Sequence, residues 1–159
     1  MDSNNNSPAR RIRIPKVDPA FYQAMNQLTD AAAAGLDPLL AELIKIRASQ
    51  INGCAFCLDV HLQESRALGE SQQRLDILAG WHESPSYFTE QEQAALALTE
   101  AITLLPEAGV PDGVYQRAAE AFGDTGLSHV MEMIIAINAW NRIGVATRLS
   151  PPRRREASN

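Results

Sequence analysis

The chain has 159 residues, of which 45% are hydrophobic and 21% charged, and these proportions are ordinary for one globular domain with a hydrophobic core. A formal net charge of −5 and a pI near 5.2 argue against a general nucleic-acid-binding protein. No apolar run reaches the roughly 18 residues that a membrane span requires, and the polar start of the sequence has no signal-peptide core. We therefore expect a cytoplasmic protein.

The two ends of the chain differ in composition from the rest. Residues 1–14 begin with an Asn- and Ser-rich stretch and continue into a segment that we expect to be extended, because Ile14 precedes a proline. Residues 150–159 are polar and carry three consecutive arginines, which predicts a flexible basic tail. We therefore predict one domain over residues 15–149 between two flexible ends.

Helical periodicity and capping signals divide this domain into helices, and no segment alternates with the period of two that a strand requires. Asp-Pro pairs at Asp18 and Asp37 are typical of an N-cap followed by proline, and Thr89 with Glu92 forms a capping-box pattern. Ser71 and Pro111 are further predicted helix starts, and Pro106 is a predicted stop. The fold class predicted is all-α, with helices over about residues 19–34, 36–51, 54–68, 71–79, 90–105, 111–122 and 125–145 and a loop over residues 80–89.

Both cysteines lie in one predicted helix hairpin. The first helix of the hairpin stops at Asn52-Gly53, because Gly readily takes the left-handed conformation that ends helices. The second begins at Cys54 and carries Cys57. In an antiparallel hairpin, residues equidistant from the turn face each other, and this places Glu42 level with His61. One patch can therefore hold Glu42, Cys54, Cys57 and His61.

These four residue types point to thiol redox chemistry. A thiolate is the reactive species, and its pKa falls beside a histidine or at the positive end of a helix. The helix end favours Cys54 as the reactive thiol, whereas His61, one turn after Cys57, favours Cys57. We favour Cys57, because a base in contact also transfers a proton. Two alternatives remain: a pair of buried spectator thiols, and a metal site formed by Cys54, Cys57, His61 and Glu42.

The pattern of Glu42, Asn52-Gly53, Cys54-Ala-Phe-Cys57 and His61 resembles the AhpD-like branch of the carboxymuconolactone decarboxylase family. The resemblance implies an all-helical alkylhydroperoxidase-type protein whose proton relay consists of Glu42, Cys54, Cys57 and His61. It also implies that Cys57 is the peroxidatic cysteine, that Cys54 resolves the intermediate, and that the protein is a homo-oligomer, trimeric or hexameric. The best-studied members carry a further histidine where this chain has Phe56.

The function expected is a thiol-dependent peroxidase that reduces hydrogen peroxide or organic hydroperoxides without a bound cofactor. An external dithiol or a protein reductant would regenerate the cysteine pair. The alternatives are a dithiol redox sensor or adaptor without peroxidase turnover, and a lactone decarboxylase-like protein. We interpret His82 as a loop residue, with a place beside a substrate channel as the alternative, and His129 as structural or exposed. Core packing or capping is the favoured role of four further residues, with pocket lining as the alternative: Glu100, Asn138, Trp140 and Asn141.

Overall fold

The computed structural model describes residues 10–105 and 107–153, and over these residues the chain is helical without any strand. The predicted all-α fold is therefore confirmed. The predictions that fall on residues 1–9, on Pro106 and on residues 154–159 lie outside the described residues. The α-helices are α1 (Ile14–Val17), α2 (Pro19–Ala33), α3 (Pro38–Asn52), α4 (Ala55–Ala67), α5 (Gln72–Ile77), α6 (Glu90–Leu104) and α7 (Asp112–Ala146).

Three of the predicted helix starts have the expected caps. Asp18 Oδ1 accepts a hydrogen bond from the amide of Phe21, and Asp37 Oδ1 accepts one from the amide of Leu40, each at 3.0 Å. Thr89 and Glu92 cap α6 reciprocally, since each side chain accepts a hydrogen bond from the other's backbone amide. These caps satisfy amides that the first turn of a helix leaves without intrahelical partners.

The structure corrects the expectation of an extended segment at Ile14. Ile14 is the first residue of α1, and its carbonyl accepts a hydrogen bond of 2.8 Å from the amide of Asp18. The bias against helical geometry before a proline is a local preference. Here the hydrogen bonds of a short helical turn, including one from Lys16 to the carbonyl of Arg13, outweigh it.

Three smaller expectations also differ from the structure. Ser71 precedes α5 but makes no side-chain capping bond, and its amide instead donates to Glu70 Oε1. Pro111 is the N-cap residue of α7 rather than its first helical residue. The expected loop over residues 80–89 contains most of one 3₁₀ segment, Leu78–Glu83, and all of a second, Pro85–Tyr87. Trp81 and Phe88 hold the loop against the domain, because both are buried in a hydrophobic cluster with Leu43 of α3.

Helix α3 lies at the centre of the fold, where it packs against α4, α6 and α7. Its apolar side chains divide between two clusters. Ile44 joins a core shared with α6 and α7, and Leu43 joins one beneath α5 and the 3₁₀ segments. Gly123 interrupts α7 with a φ of 63°, at the point where the sequence predicts two separate helices. Within the described part of the chain, no helix is both long enough and apolar enough to cross a membrane.

The turn of the α3–α4 hairpin is tied to α7 by amide side chains. Gly53 takes the left-handed conformation, with φ 66° and ψ 33°, and ends α3 as predicted. The side-chain amide of Asn52 donates to Oδ1 of Asn138 and to Oδ1 of Asn141. Asn141 in turn donates to the hydroxyl of Ser49. Because a buried polar group without a partner is costly, this network fixes how α7 lies on the hairpin.

Candidate active site

Glu42 and His61 meet across the α3–α4 hairpin. Glu42 Oε2 lies 3.0 Å from Nδ1 of His61, as the equal distances of the two residues from the turn predict. The other carboxylate oxygen, Oε1, accepts a hydrogen bond from the ammonium group of Lys45, one turn further along α3. Glu42 and Lys45 are both buried. The carboxylate therefore contacts a fixed cation on one side and the imidazole ring on the other.

The charge of Glu42 determines which ring nitrogen of His61 carries the proton. Burial of Glu42 by itself raises the pKa of its carboxyl, but hydrogen bonds from His61 and Lys45, together with their charge, outweigh burial and lower that pKa. An ionised carboxylate can only accept hydrogen bonds, so Nδ1 of His61 must donate. In the neutral imidazole this leaves Nε2 unprotonated, as a base requires.

The two cysteines occupy different positions at the start of α4. They form a disulfide, with Cα atoms 5.4 Å apart. Cys54 is the N-cap residue, and its sulfur accepts a hydrogen bond of 3.4 Å from the amide of Cys57. Both residues are buried in a small cluster with Ala48 and Ile137, but only Cys57 lines the adjacent cavity. The positive end of the helix therefore lies at Cys54, whereas access from the cavity favours Cys57 as the thiol that reacts.

Gly144 of α7 allows the helix to pack directly on the cysteine pair. A Cβ atom at this position would lie 2.8 Å from the sulfur of Cys54 and 3.7 Å from that of Cys57. The first distance is shorter than real Cβ contacts, so a larger residue would push α7 away from the sulfurs. Gly144 therefore belongs to the site through its small size.

A cavity of about 830 Å³ reaches Cys57 and His61. Phe56 and Val60 line it from α4, and Trp140 lines it from α7. Trp140 is held in place because its indole Nε1 donates to the hydroxyl of Thr29 at 2.7 Å, while Tyr22 packs edge-on against its ring. Trp140 thus has both of the roles that the sequence left open. Phe56 supplies apolar surface to the cavity.

Glu64 gives His61 a second carboxylate neighbour. Its Oε2 lies 3.1 Å from Nδ1 of His61, and its side chain is exposed. Glu42, His61 and Glu64 form the one group in the described part of the chain whose ligand atoms lie close enough together to hold a metal ion. The cysteines of the metal site considered from the sequence are not part of that group. The ammonium group of Lys45 already neutralises the charge of Glu42, so a metal ion would be bound less strongly here.

Glu100 lies in a separate polar cluster rather than in the cavity. It accepts hydrogen bonds from Arg47 Nε at 2.8 Å and from Trp81 Nε1 at 2.8 Å, and its second oxygen lies 2.9 Å from Nε2 of His82. His82 therefore has a partner that the sequence did not reveal, and neither residue lines the cavity beside Cys57. Asn138 and Asn141 are likewise engaged in the buried network at the hairpin turn.

The Glu100 cluster predicts a loss of stability in acid. Burial raises the pKa of Glu100, but hydrogen bonds from His82, Trp81 and Arg47 outweigh it and lower that pKa below its ordinary value of 4.5. The ionised carboxylate thus stabilises the fold fully above pH 4.5, and this contribution is lost as the pH falls through the folded-state pKa. Urea unfolding across this range should therefore show a steeper loss of unfolding free energy for wild type than for Glu100→Gln. Equal slopes would contradict the prediction.

Sequence reasoning missed Lys45, Glu64 and Gly144. The sequence could have indicated two of them. Lys45 follows Glu42 by three residues and Glu64 follows His61 by three, and residues at this spacing are neighbours on one helix face. No such spacing points to Gly144, since its role depends on contacts with Cys54 and Cys57, which lie far earlier in the chain.

The fold and this site define a class of protein: an all-helical protein with a Cys-x-x-Cys pair at the start of one helix and a Glu-His pair across the hairpin. Residues 19–101 match the family model described as the carboxymuconolactone decarboxylase family. The chain belongs to that family, within its AhpD-like branch.

Two curated relatives share part of the sequence. The uncharacterized protein YdfG of Bacillus subtilis (strain 168) is 46% identical over 105 residues, which is 66% of this chain and 71% of that protein. The uncharacterized protein YnjA of Escherichia coli (strain K12) is 30% identical over 99 residues, which is 62% of this chain and 53% of that one.

Two solved structures share the fold. One, from Agrobacterium tumefaciens, is described as a protein of unknown function and provisionally assigned as the antioxidant defence protein AhpD. It has a TM-score of 0.87 and 39% identity, and the match covers 92% of this chain and all of that one. The other is an uncharacterized peroxidase-related protein from Silicibacter sp. TM1040, with a TM-score of 0.71 and 21% identity, covering 82% of this chain and 69% of that one. At this identity the second match concerns the fold alone.

Proposed function

We propose that the protein is a thiol-dependent peroxidase that reduces hydrogen peroxide or organic hydroperoxides through a dithiol–disulfide cycle of Cys54 and Cys57. One observation carries the proposal: Cys57 lines a cavity together with His61, and His61 is hydrogen-bonded to the ionised Glu42. A nucleophile, a base and a residue that positions the base are the parts that activated-thiol chemistry requires.

In the first step, the reduced Cys57 loses its proton to Nε2 of His61. The thiolate attacks the outer oxygen of the hydroperoxide, so that an S–O bond forms and the O–O bond breaks. The sulfur is oxidised by two electrons to a sulfenic acid, and the leaving alkoxide takes the proton from His61 to become an alcohol. Glu42 stabilises the imidazolium that exists between these two proton transfers.

In the second step, the thiol of Cys54 attacks the sulfenic acid of Cys57, which releases water and forms the disulfide. An external dithiol then attacks the sulfur of Cys57, because Cys57 is the cysteine that lines the cavity. Cys54 leaves as a thiolate at the start of α4, where the amide of Cys57 can donate to its sulfur. The second thiol of the reductant then attacks the mixed disulfide and releases Cys57, so that the reductant is oxidised to its own disulfide and the cycle closes.

The test is a peroxide-consumption assay with the reduced protein. Without reductant, we expect one hydroperoxide to be consumed and two thiols to be lost per chain; with dithiothreitol, we expect turnover to continue. Cumene hydroperoxide and hydrogen peroxide serve as substrates, and peroxide loss is measured against a reaction without protein. Disulfide exchange with a dithiol without any peroxide turnover would instead identify a redox adaptor and refute the peroxidase.

A closed homo-oligomer, trimeric or hexameric, and a cytoplasmic dithiol or protein as reductant complete the proposal. Exposed apolar side chains on α7, Ile135 and Val145, offer surface for subunit contact. These points depend on the likeness to the AhpD-like branch.

A further inference from the structure

We propose that the substrate of this site is an organic hydroperoxide with an extended apolar body and a carboxylate at its end. The inference rests on the proposed peroxidase function and names the substrate class. The cavity beside Cys57 has walls of two kinds, and each recognises one part of such a molecule.

One part of the cavity lining is apolar, and the cavity is much larger than hydrogen peroxide needs. Its volume of about 830 Å³ lies within the range of sites that bind small organic molecules. Phe56, Val60, Trp140 and Ile143 form its apolar lining close to Cys57 and His61. An apolar body gains free energy by leaving water for such a surface, whereas hydrogen peroxide gains none.

The cavity lining also has a cationic part. Arg11 and Arg13 line the cavity from the segment that precedes α1, and Arg148 lines it from the segment that follows α7. Within the described ranges, no ion pair engages any of the three arginines, and no Asp or Glu is among the residues that line the cavity. Three guanidinium groups that line one cavity, without an ion-pair partner among the described residues, suit a carboxylate, which arginine can bind through two parallel hydrogen bonds.

Both kinds of wall belong to the cavity that contains the reacting thiol. Cys57 and His61, beside which the peroxide group must be placed, share helix α4 with Phe56 and Val60, whereas the arginines belong to segments near the two ends of the described chain. Attack by Cys57 transfers the outer oxygen to sulfur, the O–O bond breaks, and the alkoxide takes its proton from His61. The organic product is a hydroxy acid, and that compound serves as a ligand that cannot oxidise the thiol.

The test compares the hydroperoxide of linoleic acid with its methyl ester, both below their critical micelle concentrations and with dithiothreitol as the neutral reductant. The two substrates present the same peroxide and the same apolar body, so the ratio of their kcat/KM values isolates the carboxylate. We expect wild type to prefer the acid by about tenfold, because hydrogen bonds to charged groups are typically worth that much or more.

The Arg11→Gln/Arg13→Gln double variant should lose most of that preference. The matched control is Arg66→Gln/Arg117→Gln, which removes the same charge from two exposed arginines outside the cavity lining and should keep the preference. Binding of the hydroxy acid, measured by tryptophan fluorescence and by calorimetry, should weaken by a similar factor in the cavity variant and not in the control.

The outcomes separate this inference from the peroxidase itself. If wild type turns over hydrogen peroxide but treats acid and ester alike, the peroxidase stands and the substrate class is refuted. The substrate class is also refuted if the cavity variant slows acid and ester equally, since the arginines would then serve the fold or the reductant. If no peroxide is consumed but the hydroxy acid binds and the cavity variant weakens it, the peroxidase is refuted and the ligand class stands.

Discussion

Cys57→Ser should abolish peroxide turnover, whereas Cys54→Ser should retain the first chemical step and lose the cycle. Cys57 is the cysteine that lines the cavity beside His61, so its sulfur is the one that a hydroperoxide can reach. Cys54 is buried behind it, against Gly144, and its sulfur accepts the amide of Cys57. A serine at position 57 removes the nucleophile, and a serine at position 54 removes only the thiol that resolves the sulfenic acid.

The measurement is a single-turnover experiment followed by trapping with dimedone and mass spectrometry. The Cys54→Ser protein should consume about one hydroperoxide per chain and carry a dimedone adduct on Cys57, as expected for a sulfenic acid without a resolving thiol. The Cys57→Ser protein should consume none and carry no adduct. Exchanged results, with the adduct on Cys54, would show that the helix end rather than the cavity and His61 determines which thiol reacts.

Both variants replace sulfur by the smaller hydroxyl oxygen, so a folding control is needed. Far-ultraviolet circular dichroism and the urea midpoint of each reduced variant should match those of reduced wild type. The comparison uses the reduced form, because the disulfide itself restricts the unfolded chain and would raise the stability of wild type alone.

The hairpin could be predicted from the sequence because its geometry is local. Gly53 fixes the turn, and the rise per residue then sets which side chains are level, so the 3.0 Å contact between Glu42 and His61 follows from counting. The pattern of Glu42, the Cys-x-x-Cys pair and His61 also predicted the family and the fold, and the family model and the related structure confirm both. The catalytic roles of Glu42, Cys54, Cys57 and His61 stay predictions that the variants test.

The cavity could not be predicted, because its walls come from parts of the chain that are far apart in sequence. Arg11 and Arg148 lie near opposite ends of the chain, yet both line this one cavity. The pairing of His82 with Glu100 could not be predicted for the same reason. At Ile14 the prediction itself was wrong. The extended conformation expected before a proline is a local preference, and the hydrogen bonds of a single helical turn outweigh it.

Glu42→Gln should lower kcat by about a hundredfold or more while KM changes little, because Glu42 acts on the reaction through His61 rather than by touching the substrate. The neutral amide can still accept a hydrogen bond from His61, but it cannot stabilise the imidazolium that forms when Cys57 gives up its proton. The measurement is steady-state turnover of hydrogen peroxide with dithiothreitol, at saturating and at low peroxide.

The same change leaves the buried ammonium group of Lys45 without its carboxylate, which should cost about 3–5 kcal/mol of unfolding free energy. Stability and catalysis must therefore be separated, and the Glu42→Gln/Lys45→Met double variant does this. Replacing both members of a buried ion pair is often close to neutral, so the double variant should recover most of the stability. Its turnover should stay as low as that of Glu42→Gln.

Lys45→Met alone completes the cycle of variants. It removes the hydrogen bond that holds Oε1 of Glu42 but leaves the contact between Oε2 and His61 available. Its kcat should therefore fall less than that of Glu42→Gln, although its unfolding free energy falls as well, because a buried carboxylate loses one of its two partners. If turnover in all three variants instead followed their stability, Glu42 would act only by holding the hairpin together. If kcat instead stays low in the stable double variant, catalysis needs the carboxylate of Glu42 beside His61.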